Sequence, residues 1–245
     1  MAIGPEVKIQ EFAGGAMLYD SSRAGNASPE WLDEKWWGQR GKVRSAVAGR
    51  GAASLIEADG RHLVLRHFRR GGLMARIATD RYWWRDAERT RSFMEWHLLY
   101  HMQRAGLPVP VPVAAGYRRQ GNTYSADLLM QLIPGVLTLA EAIRTAPVSL
   151  GTWSAIGRQL KHFHGRGVCH ADLNAHNILL STSGDEVWLI DFDRGTLRAP
   201  GAWRDANLVR LQRSLDKISA PLNRDRFSAA DWQVLLDSYL AARAT

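Results

Sequence analysis

His170-Ala-Asp172-Leu-Asn-Ala-His-Asn177, followed by Ile190-Asp191-Phe192-Asp193, carries more chemical information than any other part of this chain. It sets two carboxylates and a carboxamide in the order that phosphoryl transfer from ATP requires. One Asp takes the proton from an acceptor hydroxyl, an Asn five residues on holds one Mg²⁺, and a second Asp holds the metal that bridges the nucleotide phosphates. Asp172, Asn177 and Asp191 occupy those places. Between them, Ile178-Leu-Leu180 and Val187-Trp-Leu-Ile190 predict two short strands around a Gly184-Asp185 turn. Such a hairpin returns Asn177 and Asp191 to the same end of the sheet. A polar capping loop followed by a buried strand would explain either half alone; it leaves the joint spacing unexplained.

Upstream, Val43–Ala48, Ala53–Ala58 and His62–Phe68 predict three strands, the first two joined through Gly49-Arg-Gly51 and the last two through Asp59-Gly60. Strand, Gly-x-Gly, strand, turn, strand is the layout of a nucleotide-covering loop, in which Gly49 and Gly51 let the backbone approach phosphates. Ser54 stands where protein kinases have a third glycine. The third strand should carry a cation for the phosphates. None of the five lysines falls in it, and Arg66 takes that place. A guanidinium makes bidentate phosphate contacts where an ammonium acts as a point charge. A helix over 89–104 follows, with Phe93, Trp96, Leu99 and Tyr100 on one face and Glu95 as the carboxylate for Arg66. Gly106-Leu-Pro-Val-Pro-Val-Pro112 ends it. A hairpin over Tyr117–Arg119 and Ala126–Ile133 then runs into Pro134-Gly135, a hinge between two lobes, with the backbone near Met130 and Leu132 facing adenine.

The expected organisation is an N-terminal extension over 1–40, an N-lobe over 41–135 and a C-lobe over 136–245. In the extension, a short helix from Pro29 to Trp37 is capped by Ser28, and its tryptophans dock it onto the body. In the C-lobe, helices are expected over Leu139–Thr145, Leu150–Gly165, Trp203–Ile218 and Ser228–Ala242, the last opened by a Ser228/Asp231 capping box. The fold class is α+β: a bilobal protein-kinase-like fold, with an antiparallel sheet and one helix in the N-lobe and a reduced, mainly helical C-lobe.

Composition bounds the partners. The 245 residues hold 32 basic and 24 acidic side chains, a net charge of +8, and the basic side is almost all Arg. Such a surface favours polyanions: nucleic acid, anionic lipid or phosphorylated glycans. The excess is concentrated between Arg61 and Arg91, where nine arginines face three acids and aromatic residues interleave. Arg69, Arg70 and Arg76 are its candidates for acceptor anions. The pattern suits a carboxylated or phosphorylated saccharide at a membrane surface, and also RNA. No RNA-module signature is present, which disfavours nucleic acid. No apolar run reaches the ~18–20 residues that span a bilayer. Met1-Ala-Ile-Gly-Pro-Glu lacks the pattern of a secretory signal, and the single Cys169 forbids an internal disulfide, so a cytoplasmic site of action is expected.

After Asp193 only 52 residues remain, with no Ala-Pro-Glu element, and Asp-Phe-Asp replaces Asp-Phe-Gly. That leaves little room to dock a polypeptide, and a small-molecule or glycan acceptor is favoured. Leu65-Arg-His-Phe-Arg-Arg-Gly-Gly-Leu73, Asp80-Arg-Tyr-Trp83, Gly106-Leu-Pro-Val-Pro110, Ala126-Asp-Leu-Leu129, the 170–177 loop and Ile190-Asp-Phe-Asp-Arg-Gly195 together resemble the bacterial 3-deoxy-D-manno-octulosonic acid (Kdo) kinases. These are lipopolysaccharide-core kinases distantly related to protein kinases. The resemblance runs from about Gly49 to Gly195. It implies ATP and Mg²⁺ as cofactors and the 4-hydroxyl of Kdo on a lipid A precursor, an anionic glycolipid, as acceptor. It also implies Asp172 as the active-site residue and a peripheral place on the cytoplasmic face of the inner membrane, with no protein partner. A core-heptose kinase, an aminoglycoside-type phosphotransferase and a non-catalytic pseudokinase are the competing readings. The basic surface opposes a cationic drug acceptor, and the intact Asp172, Asn177 and Asp191 oppose a pseudokinase.

Overall fold

The computed structural model describes residues 4–25, 27–46, 53–58, 60–69, 80–222 and 226–242. The chain divides into two compact units, Met1–His101 with Pro110–Leu132, and Met102–Val109 with Ile133–Thr245.

The first unit is built on an eight-stranded antiparallel sheet. Its strands are β1 (Val7–Phe12), β2 (Gly15–Asp20), β3 (Val43–Ala46), β4 (Ala53–Ala58), β5 (Arg61–His67), β6 (Tyr82–Trp83), β7 (Pro112–Gln120) and β8 (Thr123–Gln131). They lie in the order β1-β2-β7-β8-β5-β4-β3, with β6 pairing the remaining length of β8. Helices α1 (Ser21–Ala24) and α2 (Glu34–Gln39), with a 3-10 turn over Pro29–Leu32, fall between β2 and β3. Helix α3 (Arg91–Arg104) follows β6. Strand alternation divides the two faces. Leu63 and Leu65 of β5 join Met17, Leu32, Trp37 and Leu129 in one buried cluster. Arg66, between them and the strand end, turns to the opposite face and meets Glu95 of α3.

Residues 1–40 are therefore not an extension. β2 pairs with β7 from Gly15↔Arg118 to Tyr19↔Ala114, and the segment after it closes one face of the sheet. Trp37 is buried and donates its indole N–H to the Trp31 carbonyl at 2.8 Å, with Trp36 edge-on at 4.7 Å between ring centroids. The tryptophans do dock inward. The helix start differs from the expectation: Asp33, not Ser28, caps α2 by accepting the Lys35 N–H, while Pro29–Leu32 forms a separate 3-10 turn.

In the second unit, β9 (Val136–Thr138), β11 (Ile178–Ser181) and β12 (Val187–Leu189) form a three-stranded sheet, and β10 (Val168–Cys169) pairs β13 (Thr196–Leu197). Its helices are α4 (Leu139–Thr145), α5 (Leu150–Gly165), α6 (Trp203–Ser219) and α7 (Ala229–Ala241). Capping boxes open α4 at Thr138/Glu141 and α7 at Ser228/Asp231. Along α5, Trp153, Ile156, Leu160 and Phe163 are buried at helical spacing.

Helices α5 and α7 touch through backbone at Gly157. A Cβ placed there would lie 2.2 Å from the Leu235 carbonyl oxygen and 3.0 Å from the Tyr239 nitrogen. Alanine is the better helix former by roughly 1 kcal/mol, but overpacking against unyielding backbone costs ~1–3 kcal/mol. Gly157→Ala is thus expected to lower stability in denaturant melts; an unchanged or raised midpoint would show that α7 can slide away.

Candidate active site

The loop over residues 170–177 is held from both of its sides. His170 is buried, 2% exposed. Its Nε2–H donates to the Ile190 carbonyl at 3.0 Å, and its Nδ1 accepts the Asp172 N–H at 3.1 Å. Because a backbone N–H can only donate, Nδ1 carries no proton and the ring is the neutral Nε2–H tautomer. Burial pushes its pKa down, which agrees. One imidazole thus ties the base of the loop to the residue preceding Asp191.

From the other side, α6 presents Asn207, Arg210 and Ser214 at i, i+3 and i+7. The Asn207 amide accepts the His170 N–H at 3.2 Å and donates to the His170 carbonyl at 2.9 Å. The Ser214 hydroxyl accepts the Ala175 N–H at 3.2 Å. Arg210 Nη1 lies 3.3 Å from Asp172 Oδ1. Asn174 donates to the Asp172 carbonyl at 2.9 Å and to Oδ2 at 3.2 Å. The Asp172 carboxylate is oriented by two neighbours and remains more than half exposed.

The hairpin returns the two candidate metal ligands as its strands predict. Ile178 pairs with Leu189, Gly184 makes the turn at φ 77°, and Ile190 N–H donates to the Asn177 carbonyl at 3.1 Å. Asn177 is 8% exposed and gives its side-chain N–H to the Asp172 carbonyl at 2.9 Å. That leaves Oδ1 as the oxygen for a cation. Asp191, next along, is exposed and sits at φ 63°. A non-glycine residue there costs roughly 1–3 kcal/mol and persists only where its flanks dictate it. Those flanks are the Ile190 carbonyl bonded to His170, and Phe192, 1% exposed, with its ring 4.8 Å from the His170 ring. Among the described residues no three His, Cys, Asp or Glu side chains cluster to hold a metal. Mg²⁺ needs no such cage, since one or two protein oxygens suffice beside water and phosphate. The neutral Asn177 oxygen and the Asp191 carboxylate fit it.

In the first unit, Arg66 and Glu95 form a two-pronged pair, Nη1–Oε1 at 3.1 Å and Nη2–Oε2 at 2.6 Å. Arg66 sits mid-sheet, opposite Ala53 of β4 and Leu128 of β8, with its guanidinium 4.4 Å from the Phe68 ring centroid. Ser54 turns its hydroxyl to Glu34 at 2.5 Å. The Leu132 N–H is already given to the His62 carbonyl, and Met130 is paired with Val64 on one side and Pro112 on the other. The Leu132 N–H is therefore not open to a base. Arg69 is exposed; Gly49, Gly51, Arg70 and Arg76 lie outside the described residues.

The lipopolysaccharide kinase (Kdo/WaaP) family model matches residues 34–239. The chain belongs to the lipopolysaccharide kinase (Kdo/WaaP) family. It is 46% identical over 205 residues to a 3-deoxy-D-manno-octulosonic acid kinase of Xylella fastidiosa, covering 83% of this chain and 81% of that one. The kinase of the same name from Xanthomonas axonopodis pv. citri is 45% identical over 212 residues, 86% and 84% of the two chains. A solved structure described as WaaP in complex with acyl carrier protein shares the fold, with a TM-score of 0.54 and 21% identity over 82% of this chain and 79% of that one. The protein-kinase-like α+β class expected from the sequence is the fold of this family.

Within this family member, sequence reasoning missed the α6 contributions. Asn207, Arg210 and Ser214 lie 30 or more residues beyond the loop they hold, and nothing in the spacing of the loop points to them. The signal that did exist was polar residues at 207, 210 and 214 on a helix whose Leu208, Leu211 and Leu215 are buried.

Two neutral histidines give this unit a pH dependence. Burial lowers His170 below 6.5, and lowers His164, whose Nδ1 is 2.8 Å from the Tyr239 hydroxyl, to about 4. A depressed histidine leaves the folded state unpenalised above its ordinary value, about 6.5. As pH falls from there toward the folded value, the unfolded chain binds the extra proton and stability is lost. The melting temperature should therefore fall from pH 7.5 to pH 5, and His164→Gln should shrink that fall. An equal fall in the variant would place the acid sensitivity elsewhere.

Proposed function

We propose that this chain transfers the γ-phosphate of ATP to the 4-hydroxyl of Kdo carried on a lipid A precursor. The observation that carries the proposal is the convergence of Asp172, Asn177 and Asp191, held by His170 and by the β11–β12 hairpin. Asp172 accepts the proton of the sugar hydroxyl. The hydroxyl oxygen then bonds to the γ-phosphorus, the bond from that phosphorus to the bridging oxygen breaks, and ADP leaves with the electron pair. Asn177 and Asp191 would hold Mg²⁺, which would supply neutralisation of phosphate charge. Arg66, fixed by Glu95, is the cation of the first unit for the nucleotide phosphates. Family membership and the kinases of Xylella and Xanthomonas support the sugar acid as acceptor.

A peripheral position on the cytoplasmic face of the inner membrane belongs to the same reading. Its support is the Arg-rich net charge of +8 together with the lipid-linked acceptor. No described helix is long and apolar enough to cross a membrane. The regiochemistry is tested by mapping the product by NMR and mass spectrometry. One phosphate per Kdo at O4 is expected; a phosphate on another hydroxyl, or on heptose, overturns the assignment.

A further inference from the structure

Among the exposed arginines of the second unit, Arg210 stands apart because it touches the candidate base. Its contact with Asp172 is a single one, Nη1 to Oδ1 at 3.3 Å, between side chains 54% and 59% exposed. A guanidinium carries five N–H donors in a fixed planar fork, and among the described residues Arg210 makes no hydrogen bond or ion pair besides this one. Such a loose, solvated pair adds little to stability. Yet the position of Arg210 on α6 is tightly set. Asn207, three residues before it, is buried and clamps His170; Ser214, four after it, holds Ala175; Leu208 and Leu211 are buried beneath. Arg213, exposed and without a partner among the described residues, adds a second cation three residues along.

We infer that Arg210 binds the carboxylate of the acidic sugar acceptor and so sets which hydroxyl reaches Asp172. The inference rests on the functional reading above and deepens it. A 3-deoxy-2-ulosonic acid in glycosidic linkage has its carboxylate on C2 and its first free hydroxyl on C4, with one ring carbon between. An acceptor whose hydroxyl lies on Asp172 therefore carries its carboxylate within a few ångströms, where a cation is needed to offset repulsion between two anions. A planar fork matches a carboxylate two-pronged, which fixes orientation as well as charge.

The test compares two acceptors, the Kdo-bearing lipid precursor and the same lipid with the Kdo carboxylate converted to its carboxamide. The wild type should prefer the acid by about tenfold or more in kcat/KM, the scale of one charged contact. Arg210→Gln should raise the KM of the acid about tenfold, leave the KM of ATP unchanged, and bring the acid-to-amide ratio toward one. Arg210→Lys, which keeps the charge without the fork, should fall between. Exposed Arg144→Gln on α4 should match the wild type. An acid preference undiminished in Arg210→Gln, or no preference in the wild type, overturns the inference and leaves the kinase reading standing. No transfer by the wild type to either lipid overturns the functional reading and the inference with it.

Discussion

Asp172→Ala is expected to lower turnover by about 10²–10⁴-fold, the usual loss when a positioned general base is removed, with ATP binding intact. The fold should hardly notice. The Asp172 side chain is 59% exposed, and its carboxylate contacts are the long Arg210 pair and Asn174. The hydrogen bonds that shape the loop run instead through backbone atoms: the Asp172 N–H to His170, and the Asp172 carbonyl to Asn174 and Asn177. Alanine keeps all of them. Surface substitutions of this kind shift stability by about 0.5 kcal/mol or less. Single-turnover transfer, nucleotide binding and a denaturant melt on the same preparation separate chemistry from folding. Turnover close to the wild type would remove Asp172 from the role given to it.

Glu95→Ala should destabilise the first unit by ~3–5 kcal/mol, because breaking one side of a buried ion pair strands the other charge. Glu95 is 2% exposed and the Arg66 side chain 17%. A buried pair is weak evidence for stability in itself, since apolar residues of similar volume often serve as well. That separates two explanations of why the pair is there. The double variant Arg66→Met/Glu95→Leu should regain most of the stability lost in Glu95→Ala and yet remain unable to handle nucleotide phosphates. If Glu95→Ala melts within about 1 kcal/mol of the wild type, the pair does not hold the sheet to α3. If the double variant turns over normally, Arg66 has no part in the chemistry.

Local sequence carried the 170–177 loop and the hairpin behind it. Asp172 to Asn177 is a spacing within one loop, and Ile178–Ser181 pairs with Val187–Leu189 across a turn that Gly184 makes at φ 77°. Helix ends were legible for the same reason: Ser228 and Asp231 sit three residues apart, and their reciprocal bonds are written in that spacing. The Arg66–Glu95 pairing was suggested by order along the chain, and strand alternation puts the two on one face.

What escaped was non-local. β1 and β2 meet at a tight Ala13-Gly14 turn, with Gly14 at φ 79°, but their membership of the main sheet depends on β7, about 100 residues away. β1 is mostly exposed and β2 mostly buried, so neither has the clean period of a half-buried strand. Ser28 was a sound capping residue that lost to Asp33, because Pro29–Leu32 closes as a tighter turn and the helix begins after it. The α6 residues that hold the loop were hidden for the corresponding reason. A helix face shows which side is apolar, but not which polar groups across from it need partners.

Kinase activity on Kdo is tested most directly by phosphate transfer from labelled Mg²⁺–ATP to the Kdo-bearing lipid A precursor, measured beside the same precursor without Kdo. Label is expected in the Kdo-bearing lipid alone, lost when Mg²⁺ is chelated and lost in Asp172→Ala. Label in the Kdo-free lipid, or none in either while the protein binds ATP, would contradict that activity.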